Sequence, residues 1–265
     1  MNGPYKSGAP CWIDLMVPDQ QAALDFYCGL FGWTGEIGPP EQGGYSVCTL
    51  KGKPVAGIMK AMNPDGSIPD PMPPAVWTTY LSTDSLDSTL KSLTDARGRI
   101  LMGPVDVMDL GRMAVATDPT GAAFGLWEPG SFDGAGIVNE HGALIWNELS
   151  TGDTDAAAAF YSAILPVTAA PSEAEGGPAY TEFKVAGRAV AGMTGLDNLP
   201  PGTPPNWLPY FHVDSVDGIQ SAAAEAGAKV LMPAFDMVAG RMAVLADPQG
   251  APFAVITAKA PEQPA

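Results

Sequence analysis

The chain repeats itself at a spacing of roughly 130 residues, and this repeat limits its possible folds more than any other feature. The 265 residues have room for two domains of ordinary size. We therefore predict two homologous domains, at residues 8–129 and 143–259, joined by a Gly-rich linker at residues 130–142. The repeated segments are Trp12–Leu15 with Trp146–Leu149, Phe26–Tyr27 with Phe160–Tyr161, Trp77–Asp84 with Trp207–Asp214, and Gly111–Val115 with Gly240–Val244.

Each predicted domain divides again into two similar halves. A strand-like run of about seven residues ends in Asp19 in the first half and in Asp84 in the second, and an amphipathic segment follows each. Asp19 is placed to cap a helix that runs to Leu30, and a second helix is expected over Leu86–Ala96. About three short strands follow each helix. The pattern predicts an α+β fold of four βαβββ modules in curved, mainly antiparallel sheets, with pairing of the modules within or between domains left open.

The charge balance excludes several classes of partner. The chain has 13 Lys and Arg against 29 Asp and Glu, a formal net charge of −16. Nucleic acids and anionic lipid surfaces require clustered cations, so neither is an expected partner. No apolar run is long enough to span a membrane, and the first ten residues lack the blocks of a secretory signal. Three unevenly spaced cysteines favour a reduced, cytoplasmic setting.

Three features occur in both halves of the chain: the opening strand that ends in Asp, the helix that contains Phe26–Gly32 in the first half, and the Asp-Pro-x-Gly turns at Asp118 and Asp247. Together they resemble the vicinal oxygen chelate superfamily of glyoxalases, extradiol dioxygenases and bleomycin-resistance proteins. The chain looks most like a tandem-domain, hydroxylase-like or antigen-like branch from high-GC bacteria, some members of which accompany antibiotic biosynthesis. The resemblance implies paired modules whose sheets curve around a ligand-holding cup.

In metal-dependent relatives, His or Gln at the start of a module's first strand and Glu in its last strand bind the ion. Counting seven residues back from each presumed capping Asp gives tryptophan four times in this chain. The closing positions fall on glycine or alanine. None of these side chains is a metal ligand, so we expect no metal and no other cofactor. The positions are Trp12, Trp77, Trp146 and Trp207, with Gly57, Gly125, Gly192 and Ala254.

Strand alternation predicts which other side chains line the cups. Each cup would hold one carboxylate, Asp14 or Glu148, among aromatic rings. Arg112 and Arg241 either reach over the cups to a ligand or form ion pairs with Asp106 and Asp236, and we favour the ion pairs. The predicted ligand-binding residues are Trp12, Asp14, Met16, Trp77, Thr79, Arg112 and Trp127 in the first domain, and Trp146, Glu148, Trp207, Phe211 and Arg241 in the second.

The pattern favours a metal-free protein that binds a flat aromatic or hydrophobic small molecule between indoles. An alternative is a glyoxalase-, dioxygenase- or hydroxylase-like enzyme that acts on an aromatic natural product, with Asp14 or Glu148 as general base. A metal-dependent version would need ligands outside the family positions. A third alternative is a structural or signalling protein in which the indoles fill both cups. The sequence leaves the oligomeric state open.

Overall fold

The computed structural model describes residues 5–63, 66–172 and 179–259, which form two tandem α+β domains. The first domain contains one curved sheet of seven strands with two helices against one face. Its elements are β1 (Pro10–Val17), α1 (Gln20–Phe31), β2 (Ser46–Leu50), β3 (Lys53–Lys60), β4 (Val76–Ser82), α2 (Leu86–Asp95), β5 (Arg99–Val107), β6 (Gly111–Thr117) and β7 (Ala123–Pro129).

The second domain repeats this arrangement with eight strands. The first module of the N-terminal domain has one strand fewer, because a single bridge between Thr34 and Thr49 stands in place of the extra strand. The elements of the second domain are β8 (Leu144–Thr151), α3 (Thr154–Ile164), β9 (Thr168–Pro171), β10 (Tyr180–Val185), β11 (Arg188–Gly195), β12 (Asn206–His212), α4 (Val216–Glu225), β13 (Lys229–Met237), β14 (Gly240–Ala246) and β15 (Pro252–Ala258).

Hydrogen bonds join the two modules of each domain into one sheet. The strand orders are β2-β3-β1-β4-β7-β6-β5 and β13-β14-β15-β12-β8-β11-β10-β9. The first strands of the paired modules run antiparallel, so that Trp12 lies opposite Tyr80 and Asp14 opposite Thr78. The modules therefore pair as sheets within a domain.

The helix caps differ between the first and second module of each domain. Asp19 accepts a hydrogen bond from the Ala22 amide and caps α1 as the sequence predicted, and Asp153 caps α3 in the same way. The caps of α2 and α4 are Ser85 and Ser215, one residue after the expected aspartates. Across the described residues, no helix is long and apolar enough to cross a membrane.

The helix-bearing faces of the two domains pack against each other and share two hydrophobic cores. In the first core, Tyr27 and Phe31 of α1 meet Phe211 and Phe253 of the second domain. The second core joins the α2 module of the first domain to Phe160 and its neighbours on α3. Each core therefore combines the first module of one domain with the second module of the other. Neither domain buries its helix-bearing face by itself.

A tyrosine in each core forms a hydrogen-bonded link between the domains. The Tyr27 hydroxyl donates to Asp247 Oδ2 at 3.1 Å and accepts from Trp77 Nε1 at 3.1 Å. The repeat supplies the same link a second time, with Tyr161 bonded to Asp118 and Trp207. Because both acids lie in the Asp-Pro-x-Gly turns, each turn of one domain is anchored by the other.

Replacing Tyr27 by Phe should lower the free energy of unfolding by about 2 to 4 kcal/mol, because the buried Asp247 and Trp77 groups each lose a partner. Urea denaturation followed by tryptophan fluorescence measures the change. The control is Tyr5→Phe, which removes one hydrogen bond to the carbonyl of Ala135 at a half-buried place and should cost about 1 kcal/mol. Equal losses in the two variants would contradict the account of the link.

Candidate functional site

The faces of the sheets that turn away from the shared cores carry a chemical cluster that is built twice. We call these faces the N-terminal cup and the C-terminal cup. The N-terminal cup is defined by Trp12, Asp14, Tyr45, Tyr80 and Trp127, and the C-terminal cup by Trp146, Glu148, Tyr180, Tyr210 and Ile256.

In the N-terminal cup, one carboxylate lies among tyrosine hydroxyls. Trp12 Nε1 donates to the Tyr45 hydroxyl at 2.8 Å, and that hydroxyl donates to Asp14 Oδ2 at 3.3 Å. Asp14 is only 3% exposed, and its Oδ1 accepts no hydrogen bond from the described residues. The chain therefore buries one carboxylate among aromatic rings and a few hydroxyl groups.

The C-terminal cup repeats the cluster with a longer acid. Trp146 Nε1 donates to the Tyr180 hydroxyl at 2.9 Å, and the Tyr210 hydroxyl donates to Glu148 Oε1 at 2.9 Å. The sequence analysis missed all four tyrosines of the two cups. Their recurrence with the repeat was the available signal, because Tyr80 and Tyr210 lie inside a segment already recognised as repeated.

Two glycines make room for the tyrosine hydroxyls. A Cβ on Gly57 would lie 1.8 Å from the hydroxyl oxygen of Tyr45, and a Cβ on Gly192 would lie 1.8 Å from that of Tyr180. Gly125 leaves room in the same way for the ring of Tyr80, because a Cβ on Gly125 would lie 2.2 Å from Cδ1 of Tyr80. The small residues at the closing positions therefore accommodate rings, and these rings belong to the chain itself.

Burial changes the acid–base properties of both clusters. It raises the pKa of Asp14 to about 7, against the stabilising effect of the nearby hydroxyls of Tyr80, Tyr45 and Thr78. The pKa of Glu148 is also raised by burial, and Tyr210 and Tyr180 oppose the shift. Burial also raises the pKa values of Tyr45 and Tyr210 well above their usual range, so both hydroxyls remain protonated and can donate hydrogen bonds at neutral pH.

The cups differ in what covers them. In the N-terminal cup, Phe132 of the linker packs edge-to-face on Trp12, with ring centroids 5.0 Å apart, and Trp12 is 6% exposed. In the C-terminal cup, Trp146 and Glu148 are only half-buried. Trp146 makes no ring-to-ring contact within the described ranges. The C-terminal cup is therefore the accessible one of the two.

The expectation that Trp77 and Trp207 line the cups is wrong. Both indoles lie on the opposite face, in the shared cores, where they bond to Tyr27 and Tyr161. The seven-residue count began at Asp84 and Asp214, whereas the caps are the following serines. A shift of one residue turns a strand side chain to the other face.

The expectation for Thr79 and Phe211 is wrong for the same reason. Thr79 is fully buried on the helix-bearing face, where its hydroxyl donates to Asn147 Oδ1 at 2.8 Å. Phe211 packs on Phe31 in the first core, with ring centroids 4.8 Å apart. With the corrected count, the positions related to Trp12 and Trp146 are Thr78 and Leu208.

Arg112 and Arg241 form ion pairs and do not reach a cup. Arg112 bonds to both oxygens of Asp87 and to Asp106, and Arg241 bonds to Asp217 and Asp236. The pairs with Asp106 and Asp236 are those that the sequence favoured. The acids at positions 87 and 217 lie in the first turns of α2 and α4, so each arginine ties a helix start to its sheet.

The remaining predicted residues lie where strand alternation places them. Met16 follows Asp14 on the cup side of β1 and is half-buried at its rim. Trp127 is 7% exposed and donates from Nε1 to the carbonyl of Phe132 at 2.8 Å. Ile256 takes the place of Trp127 in the C-terminal cup.

A groove outside both cups has a volume of about 420 Å³. It lies between α1 and the turn at Asp247, with Phe26 and Pro248 in its walls. Asp247 already accepts hydrogen bonds from Tyr27 and from the backbone of its own turn. The groove thus offers no unused buried polar group, unlike the N-terminal cup.

The paired βαβββ modules and their two cups define the class to which this protein belongs. A family model described as "Glyoxalase/Bleomycin resistance protein/Dioxygenase superfamily" matches residues 11–126. A second model, described as "Glyoxalase-like domain", matches residues 147–256. The chain is a member of the glyoxalase/bleomycin resistance/dioxygenase superfamily, with two tandem domains.

Two similar relatives extend over nearly the whole chain. "Putative glyoxylase CFP32" of Mycobacterium tuberculosis is 43% identical over 98% of this chain and 98% of its own length. "Anthracycline biosynthesis protein DnrV" of Streptomyces peucetius is 38% identical over 95% of this chain and 94% of its own length.

Solved structures confirm the fold. The Mn(II)-bound glyoxalase from Novosphingobium aromaticivorans superposes with a TM-score of 0.60 at 14% identity, covering 94% of this chain and 82% of that one. The 2,2',3-trihydroxybiphenyl 1,2-dioxygenase from Sphingomonas wittichii gives a TM-score of 0.62 at 12% identity, covering 95% and 91%. At these identities the likeness concerns the fold alone.

The side chains of the cups do not fit the metal ion that this superfamily implies. The family positions of the N-terminal cup are Trp12, Gly57, Thr78 and Gly125, and tyrosine atoms fill the space beside both glycines. Asp14 is the carboxylate that defines the N-terminal cup, and in the C-terminal cup Glu182 shares the face of Glu148 but forms an ion pair with Lys184. Over the described part of the chain, no three His, Cys, Asp or Glu side chains form a group that could hold a metal ion.

Replacing Asp14 by Asn should flatten the pH dependence of stability. Because folding raises the pKa of Asp14, the folded protein binds a proton there more tightly than the unfolded chain does. This stabilisation is fully present below about pH 4 and is lost as the pH rises through 7. The loss amounts to about 1.4 kcal/mol per unit of pKa difference. Urea denaturation between pH 4 and 8 measures it. The control Glu36→Gln, at an exposed place, should follow the wild-type curve. If the free energy of unfolding of Asp14→Asn varied with pH as steeply as that of the wild type, the raised pKa assigned to Asp14 would be contradicted.

Replacing Gly192 by Ala should disrupt the cluster of the C-terminal cup, because the new Cβ displaces the Tyr180 hydroxyl. We expect a stability loss of about 1 to 3 kcal/mol and a shifted indole N–H resonance of Trp146. Gly195→Ala is the matched control in the same strand, since a Cβ there meets nothing within 4 Å. If the two variants behave alike, the tyrosine does not need the glycine.

Proposed function

We propose that this protein binds a flat, largely apolar small molecule in the C-terminal cup. The ligand would stack on the indole of Trp146, and Glu148 with its tyrosine hydroxyls would take the polar edge. The observation that carries the proposal is the difference between the cups. The Trp–Tyr–acid cluster is built twice. Trp12 and Asp14 of the N-terminal cup are buried, whereas Trp146 and Glu148 of the C-terminal cup are partly exposed.

Other strands of the same sheet carry exposed apolar side chains on the cup side, which supports an apolar ligand. Phe235 lies opposite Met242 across the β13–β14 ladder, on the cup side, and remains 37% exposed. Met237, further along the same strand, is 38% exposed. Large apolar side chains that share an exposed concave face with a few polar groups are typical of a ligand site.

The relatives supply a class of ligand for this proposal. DnrV is named for anthracycline biosynthesis, and an aromatic natural product matches the apolar character of the side chains that the C-terminal cup exposes, such as Trp146. We infer that the protein holds such a compound, either to sequester it or to present it during biosynthesis, without a metal ion. Cys11, Cys28 and Cys48 are all free, which fits a cytoplasmic setting.

A second candidate function is acid–base catalysis on the bound compound, which the raised pKa of Glu148 favours. The name of the mycobacterial relative, a glyoxylase, supports the same alternative. Of the two acids, Glu148 suits this role better than Asp14, because Phe132 covers the cup that contains Asp14. Both functions use the C-terminal cup.

Replacing Trp146 by Ala should weaken binding of planar polycyclic phenols and quinones about tenfold or more, since the variant loses the stacking face. Isothermal titration with a panel of such compounds measures the affinity. The control Trp12→Phe alters the equivalent indole of the covered cup and should leave the affinity unchanged. The proposal fails if no compound binds, or if Trp146→Ala binds as tightly as the wild type.

Replacing Glu148 by Gln separates the two candidate functions. A binding protein should keep most of its affinity, because the amide oxygen of Gln still accepts from Tyr210. An enzyme that uses Glu148 as base should retain binding but lose turnover of the bound compound. Mass spectrometry of the compound after incubation, wild type against Glu148→Gln, reports any conversion.

A further inference from the structure

We propose that the ligand of the C-terminal cup is a cation, an amine whose protonated nitrogen lies beside Glu148 while its flat apolar part stacks on Trp146. The inference rests on the proposed function, because it names the chemical class of the ligand in the same cup. Two kinds of observation support it: the charges that face the cup, and the aromatic and hydroxyl groups around the carboxylate.

Glu148 is a carboxylate without a counter-ion. It is partly buried, and it forms no ion pair with any of the described residues. Glu182, another acid on this face of the sheet, is neutralised by Lys184, with Nζ 3.1 Å from Oε2. Lys184 is therefore engaged with a different acid. Removing a carboxylate from water without a compensating positive charge is costly, and buried charges in folded proteins are usually paired.

The charge of the whole chain favours a cationic ligand as well. The formal net charge is −16, so the protein attracts cations and repels anions. Arg112 and Arg241 are held by acids in the first turns of α2 and α4 and do not reach a cup. An anionic ligand would meet the repulsion of Glu148, whereas an ammonium group would supply the counter-ion that this carboxylate lacks.

The groups around Glu148 suit an ammonium ion. The Tyr210 hydroxyl donates to Glu148 Oε1 at 2.9 Å, and the hydroxyls of Tyr210 and Tyr180 both stabilise the ionised carboxylate against its burial. Trp146 is partly exposed and makes no ring-to-ring contact within the described ranges, so it can offer a face to a ligand. Cations are attracted to the face of an indole more strongly than to that of other rings, and proteins recognise alkylammonium groups in this way.

The test compares naphthylmethylamine, which is protonated at neutral pH, with naphthylmethanol, which has the same ring system and no charge. Isothermal titration of the wild type at low salt should show about tenfold tighter binding of the amine, and Trp146→Ala should weaken the binding of both probes. In Glu148→Gln the amine should bind only as tightly as the alcohol, because the carboxylate charge is gone. The affinity for the alcohol should stay unchanged, which also shows that the variant folds.

Asp14→Asn is the matched control, since it removes the equivalent acid of the covered cup. It should keep the wild-type preference for the amine. Lowering the pH should abolish the preference in the wild type, because a protonated Glu148 carries no charge, and should change nothing in Glu148→Gln.

Two outcomes would overturn this inference and leave the proposed function standing. They are binding of the alcohol by the wild type as tightly as the amine, and a preference for the amine that survives in Glu148→Gln. If neither probe binds to the wild type, the proposed function and this inference fail together.

Discussion

The two domains complete each other's hydrophobic cores, and the rest of the molecule depends on this exchange. The helix-bearing face of each module is covered by a module of the other domain, with Tyr27 and Tyr161 linked to the acids of the opposite turns. Because this packing uses one face of each sheet, the other face is left to line a cup. Fold stability and site chemistry are therefore assigned to opposite faces of the same strands.

The repeat gave two copies of one cluster, and small differences around them left the copies with different exposure. Trp, Tyr and a carboxylate recur, and both indoles donate to a tyrosine hydroxyl, but Asp14 accepts from Tyr45 whereas Glu148 accepts from Tyr210. Phe132 covers the N-terminal copy, where Asp14 is only 3% exposed, while Glu148 stays half-buried. A covered acid mainly affects stability and its pH dependence, whereas an accessible acid can meet a ligand.

Much of the fold was predictable from the sequence because repeats and caps are local patterns. The tandem domains, the Asp19 cap and the strands beside the Asp-Pro-x-Gly turns all follow from such patterns. The faces of β4 and β12 were not predictable in this way. The face assigned to each side chain of β4 depends on whether Asp84 or Ser85 is taken as the cap of α2. Moving the cap by one residue assigns every side chain of the strand to the opposite face of the sheet, and the same holds for β12.

The site was predictable only in part. Trp12 shares one cup with Asp14, and Trp146 shares the other cup with Glu148, as strand alternation indicated. Tyr45 immediately precedes β2 and Tyr180 begins β10, and the space beside Gly57 and Gly192 accommodates their hydroxyls next to the acids. The linker's Phe132 reaches Trp12 across 120 residues of chain. Contacts of this kind depend on tertiary packing, which strand periodicity does not describe.

The central proposal is that this protein binds an organic ring and not a metal ion. Native mass spectrometry of the chain purified from the organism that makes it tests the claim most directly, with metal analysis of the same sample. The account predicts a mass increase of one small aromatic molecule per chain, absent from the Trp146→Ala variant. A divalent ion bound at one per chain, with no organic adduct, would contradict it.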